Sequence, residues 1–138
     1  MRDATPNNSL TIRAAEAADI AELSAIGSQE FRSSYGSSAS EADIAHHVAR
    51  FFGEEAIAQE ILREEVCYLI ACDDEKIAGL VKLRNSDRPD LVAAIGANSS
   101  REVQQLYVSA DYQRRGIGGL LLDAAVADTR KRRIDGIW

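Results

Sequence analysis

Between Gln113 and Gly119 the chain reads QRRGIGG, two arginines followed by glycines at 116, 118 and 119. An apolar run ends at Val108, a polar loop comes next, and a Leu- and Ala-rich segment starts directly after the glycines. This is the pattern of a helix that opens on glycine. The first turn of any helix presents N–H groups with no intrahelical acceptor. They add to the positive end of the helix dipole, worth about half a unit charge, and together suit an anion such as a diphosphate. A Cβ would hold that anion away from the amides, and glycine removes it. Each glycine costs about 0.5–1 kcal/mol of helix stability relative to alanine, so three in one turn point to a compensating contact. Arg114 and Arg115 can add charge-assisted hydrogen bonds to phosphate oxygens. The competing reading is close packing of the helix start against a sheet, with the arginines at the surface. Two nucleotide patterns fail on spacing. GxGxxG needs glycine at 121, where Leu121 stands, and a tight turn straight off the strand, whereas Ser109 to Arg115 intervene. The GxxxxGK[ST] pattern is absent.

The elements that must position this segment follow from periodicity. Ser9 to Ala14 reads as a first strand. Ile20, Leu23 and Ile26 at helical spacing predict a helix over about 16–31, with Asp19 and Glu22 in its first turns. RSSYGSSAS reads as a turn-rich loop, and Ser40 as the N-cap of a second helix over 41–52 with Asp43 three residues on. Gly53 interrupts, and EEAIAQEILRE continues as helix. VCYLIAC (66–72) and IAGLVKL (77–83) predict an antiparallel hairpin around the DDEK turn. Asn85 to Ser100 reads as a long loop, Glu102 to Val108 as a strand, Gly116 to Arg133 as the main helix, and IDGIW as the start of another strand. The order β-α-α-β-β-β-α-β predicts an α/β (α+β) fold: a mixed, mostly antiparallel central sheet flanked by helices.

Composition agrees with one domain spanning 1–138. The chain is 46% hydrophobic and 28% charged, with a net charge of −6. No apolar run approaches the roughly 18–20 residues of a membrane helix, and MRDATPNNSL has no apolar signal segment, so a cytoplasmic location is expected. An acidic total argues against nucleic acid. The charge is bipolar: residues 1–80 carry 15 acidic and 6 basic side chains, a balance of −9, and residues 81–138 carry 7 and 10, a balance of +3. That arrangement suits an anion held by the second half and a cation drawn to the first. Cys67 and Cys72 sit five residues apart in one strand, on opposite faces, as two buried thiols. His46 and His47 are adjacent and diverge on a helix, so no metal site is expected.

With these features in place the sequence resembles the GNAT superfamily of N-acetyltransferases. Its Q/R-x-x-G-x-G/A signature appears as Gln113-Arg114-Arg115-Gly116-Ile117-Gly118, after a strand closing on Leu106-Tyr107-Val108. TIRAAEAADIAEL is similar to the family's first strand and helix, and YLIACDDEKIAGLVKL to its β2–β3 hairpin, with Gly79 at a usual glycine position. The segment LYVSADYQRRGIGGLLLDAA looks most similar to bacterial polyamine and related small-amine acetyltransferases. The resemblance implies acetyl-CoA as donor and a small primary amine as acceptor. Amides from Arg114 to Gly119, with Gln113, would hold the CoA diphosphate. The backbone of Leu106 to Val108, Tyr107 included, would pair with the pantetheine arm, and an N–H near Leu106 would polarise the thioester carbonyl. Glu102, eleven residues before Gln113, stands where some members carry a general base. Alternation would place Glu102 on one strand face with Gln104 and Leu106, and Tyr107 on the other. Phe31 and Tyr35 correspond to positions that often line the acceptor site. Attack is direct, so neither cysteine needs a nucleophilic role.

The family pattern continues through a full fifth strand, a further helix that usually carries a tyrosine, and more strands. This sequence ends at Trp138, barely into strand five. That predicts a C-terminally short fold and, from an exposed last strand, a homodimer. Protein or peptide amines as acceptors, or a CoA-binding module without turnover, are the alternatives.

Overall fold

The computed structural model describes residues 10–86, 94 and 99–138. Within them the strands are β1 (Leu10–Ala14), β2 (Val66–Asp73), β3 (Lys76–Asn85), β4 (Ser100–Val108) and β5 (Gly136–Ile137). The helices are α1 (Ile20–Tyr35), α2 (Glu41–Phe52), α3 (Glu54–Ile61) and α4 (Ile117–Lys131). They form two compact units: residues 15–64 are helical, and residues 1–14 with 65–138 hold the sheet and α4.

The sheet order is β1-β2-β3-β4-β5. The first four strands pair antiparallel and β5 joins β4 in parallel. This is the mixed, mostly antiparallel sheet that the order of elements predicts. The long β2 and β3 are buried almost throughout, which explains why they read as continuous apolar runs. One face of β2, β3 and β4 packs under α4, where Ile117, Leu121 and Ala125 meet Leu69, Ala71, Val81 and Leu83. Burying a side chain of Leu or Ile size contributes about 1.5–3 kcal/mol, so this layer fixes the start of α4 against the end of β4. Gly79 lies beneath it. A Cβ there would fall 2.7 Å from the Tyr107 carbonyl oxygen and 3.1 Å from Leu121 Cδ1.

Arg101 is 1% exposed beneath the far end of α4. Its Nη1 donates to Asp128 Oδ2 (2.9 Å) and Thr129 Oγ1 (3.2 Å). Asp128 also accepts from Arg132 Nε at 2.8 Å. Burial alone would raise the Asp128 pKa, but the Arg101 hydrogen bond and the nearby Arg132 hold it below its ordinary value. A carboxyl with a depressed folded pKa contributes stability that is complete above its unfolded pKa and is lost as pH falls through the folded one. Asp128→Ala leaves the Arg101 charge buried and unpaired, a change that costs about 3–5 kcal/mol. We expect thermal unfolding near neutral pH to show a loss of about 3 kcal/mol, and the gap from wild type to close in acid. A pH-independent gap would mean the carboxylate charge is not the cause.

In the helical unit α2 begins at Glu41 as predicted, with Asp43 N donating to Ser40 Oγ at 3.1 Å. The expected helix over 16–31 is corrected at both ends. Residues Ala17–Asp19 form a 3-10 turn, because the Asp19 carboxylate folds back to accept from Glu16 N at 2.7 Å. The α-helix starts at Ile20 and runs on through Tyr35. Phe31 and Tyr35 are one helical turn apart, with ring centroids 4.8 Å apart, a contact that favours continuing the helix through RSSY. In the sheet unit, β4 starts two residues earlier than predicted. The long-loop prediction for 85–100 lies mostly outside the described residues, as does Ser9 of the first strand. Cys67 and Cys72 are both free and buried. Burial and then the Asp128 charge push the Cys67 thiol up, so it stays protonated.

Candidate active site

The segment from β4 into α4 is built in three steps. At the strand exit, Ser109 N donates to the Ala78 carbonyl at 2.8 Å, tying the turn to β3. A 3-10 turn, Ala110–Tyr112, follows, with Tyr112 N donating to Ser109 O at 2.8 Å. The Gln113 side chain then reaches back, Nε2 donating to Val108 O at 3.2 Å. Between these anchors and the helix, Arg114 and Gly116 adopt left-handed backbone, with φ of 68° and 77°. Glycine does so freely at 116. For Arg114 the conformation costs about 1–2 kcal/mol and persists only because the surroundings over-determine it.

The first bond of α4 is Leu120 N to Gly116 O, 3.1 Å. The amides of Ile117, Gly118 and Gly119 precede it and have no acceptor within the helix. No acidic residue lies in this first turn. The glycines separate the two readings of the motif. A Cβ on Gly119 would meet no atom within 4 Å, and one on Gly118 only Val108 Cγ2 at an ordinary 3.8 Å. Packing against the sheet therefore requires neither glycine, and the space above both is open. The amides at this helix start are therefore open to an approaching group. Arg115 flanks the segment with its guanidinium carbon 5.1 Å from the Tyr112 ring centroid.

A profile of the acetyltransferase (GNAT) family matches residues 28–138, which include this segment and the whole sheet after β1. The chain belongs to the GNAT acetyltransferase family. It is accordingly an acetyl-CoA-dependent N-acetyltransferase. Three solved structures show the same fold. The PaiA N-acetyltransferase of Thermoplasma acidophilum, in complex with coenzyme A, is 22% identical, with a TM-score of 0.71 over 91% of this chain and 75% of its own. A ribosomal-protein-alanine N-acetyltransferase from Brucella melitensis biovar Abortus 2308 is 17% identical, with a TM-score of 0.64 over 94% and 78%. An aminoglycoside acetyltransferase from an uncultured soil metagenomic sample, in complex with sisomicin, is 16% identical, with a TM-score of 0.63 over 96% and 77%.

In this GNAT enzyme β4 is not a regular strand. Lys82 pairs with Gln105 and Leu83 with Val103, so Gln104 is an extra residue, a β-bulge. The bulge overturns the face assignment made from alternation. Glu102, opposite Arg84, shares a face with Gln105 and Tyr107, which lie opposite Lys82 and Leu80. Leu106 and Val108 lie on the α4 face with Val103, opposite Val81, Gly79 and Leu83. Glu102 is half-buried and Leu106 is 45% exposed. Nothing in the residue types of REVQQLYV marks the extra position, so alternation alone could not find it.

β5 pairs with Ser100 and Arg101, and Val103 N donates to Trp138 O at 2.7 Å. Leu106 to Val108 pair with β3 along the other edge of β4. Phe31 and Tyr35 lie in the helical unit. There the Phe31 ring stacks on His47, with centroids 4.1 Å apart, so His47 serves as an aromatic neighbour. Among the described residues no group of three or more His, Cys, Asp or Glu could hold a metal ion, and no helix is long and apolar enough to cross a membrane. Of the run Arg130 to Arg133, Arg130 and Lys131 close the last turn of α4, as a helix C-terminus favours, while Arg132 belongs to the Asp128 network. Neither Tyr112 nor Arg101 stands out in the sequence. The only signal for Tyr112 was one aromatic in a loop of small and charged residues, and for Arg101 there was none.

Proposed function

We propose that this enzyme acetylates a primary amine of a small molecule, with polyamines the leading class, by direct attack on the acetyl-CoA thioester. One observation carries the donor side: open space above the amides of Gly118 and Gly119 that no packing contact requires. The diphosphate of CoA would sit there, held by the amides from Arg114 to Gly119 with Gln113 bracing the loop. The pantetheine arm would run along the backbone of Leu106, Tyr107 and Val108, and the N–H near Leu106 would polarise the thioester carbonyl. The amine arrives as an ammonium and must lose a proton before attack. Glu102 is the proposed base, directly or through one water. The neutral amine nitrogen then bonds to the carbonyl carbon, the C–S bond breaks with its electron pair going to sulfur, and CoA leaves as a thiolate that takes up, through solvent, the proton lost by the new amide nitrogen.

A cationic acceptor is supported by the −9 balance of residues 1–80, which carry 15 acidic and 6 basic side chains. Phe31 and Tyr35 are the proposed acceptor-side aromatics, since a π face attracts an ammonium. A homodimer in the cytoplasm belongs to the same proposal, and a light-scattering mass of a single 15.0 kDa chain would contradict the dimer.

The test is thiol release from acetyl-CoA with a polyamine, an aminoglycoside and an N-terminal alanine peptide as acceptors. Saturable CoA release with the polyamine, at the highest kcat/KM of the three, is expected. Highest activity on the peptide would move the acceptor to protein amines. Tight acetyl-CoA binding without release from any amine would leave only a binding module.

A further inference from the structure

The loop that presents the α4 amides is fastened to the end of β2 by the Tyr112 side chain. Tyr112 is 9% exposed, and its hydroxyl donates to Asp73 Oδ2 at 2.7 Å. Two cations lie near its ring. Lys76 Nζ is 5.6 Å from the centroid and the Arg115 guanidinium carbon 5.1 Å. Lys76 also pairs with Asp111 at 3.4 Å, but both side chains are more than half exposed, so that ion pair contributes little. The Tyr112–Asp73 bond is the partly buried, charge-assisted one, and such bonds are the stronger kind. The carboxylate of Asp73, and then burial, raise the Tyr112 pKa, so the phenol keeps the proton it donates.

We infer that Tyr112 is a positioning residue for the donor: its bond to Asp73 holds the 113–116 loop in the left-handed shape that aims the α4 amides and Arg115 at the CoA diphosphate. Arg114 has the conformation a free loop would relax first, and it lies two residues from Tyr112. Without the bond the loop samples other shapes, and only part of the population is ready to bind. Affinity for the diphosphate then falls by that fraction, while the chemistry of a bound thioester is untouched. The end of β2, remote in sequence, thus sets donor affinity.

This rests on the diphosphate reading above, and the experiment separates the two. KM and kcat are measured with acetyl-CoA and with acetyl-pantetheine, which lacks the diphosphate, for wild type, Tyr112→Phe, Asp73→Ala and Asp73→Asn. Wild type is expected to prefer acetyl-CoA strongly. In Tyr112→Phe and Asp73→Ala the KM for acetyl-CoA should rise about three- to tenfold, with kcat at saturation within about twofold and no change for acetyl-pantetheine. Asp73→Asn keeps an acceptor oxygen and should recover most of the affinity. A wild type that does not distinguish the donors defeats the diphosphate reading itself. A wild type that does, with variants that lose nothing or lose equally on both donors, defeats the role of Tyr112 alone. Asp73 is the last residue of β2, beside the exposed turn at 74–75, so its variants give the answer even where Tyr112→Phe folds poorly.

Discussion

Gly118→Glu is expected to weaken acetyl-CoA binding by at least about a hundredfold, which corresponds to about 2.7 kcal/mol, without unfolding the protein. Two effects combine. The side chain occupies the open space above the Gly118 amide, where the structure has only Val108 Cγ2 at 3.8 Å. It also brings a carboxylate beside the diphosphate. Two like charges at about 4 Å repel by about 4 kcal/mol per pair at an effective dielectric of about 20, so charge alone exceeds the required loss. Folding responds in the opposite direction. A glycine leaves the helix, and an acid enters a first turn that now has none, where it complements the dipole. Titration calorimetry and a melting curve on the same sample check both halves. Lost binding with an unchanged or raised melting temperature is the expected pair. Unchanged affinity would remove the anion from this helix start.

Glu102→Gln is expected to lower kcat/KM by about a hundredfold or more, in the range of about 10²–10⁴ typical for loss of a general base. The amide keeps size and hydrogen-bonding capacity, so fold and acetyl-CoA affinity should hold. The split between kcat and KM carries the discriminating information: kcat should fall while the KM for acetyl-CoA stays within about twofold. The bulge at Gln104 gives the expectation its geometry, because it puts Glu102 on the face opposite α4 with Gln105 and Tyr107. An unaltered kcat would take Glu102 out of the mechanism and leave it a half-buried carboxylate opposite Arg84.

Much of this was legible in the sequence, for physical reasons that differ by element. The Ser40 cap, the β2–β3 hairpin and the glycine start of α4 each depend on residues next to one another in the chain, so local chemistry fixed them. The 3-10 turn before α1 and the extension through Tyr35 depend on side chains folding back, Asp19 onto Glu16 and Tyr35 onto Phe31. The Gln104 bulge, the Tyr112–Asp73 bond and the Arg101–Asp128 pair are set by register and by contacts 27 to 39 residues apart in the chain. Periodicity carries no information about such partners. The motif alone left an anion site and close packing both open, and only the three-dimensional surroundings of Gly118 and Gly119 remove the packing requirement at those two positions.

The most direct measurement is a crystal structure with coenzyme A bound. The diphosphate oxygens should lie about 3 Å from the amide nitrogens of Ile117, Gly118 and Gly119, the ordinary N–H···O distance. A diphosphate seated on any other part of the chain would contradict the account.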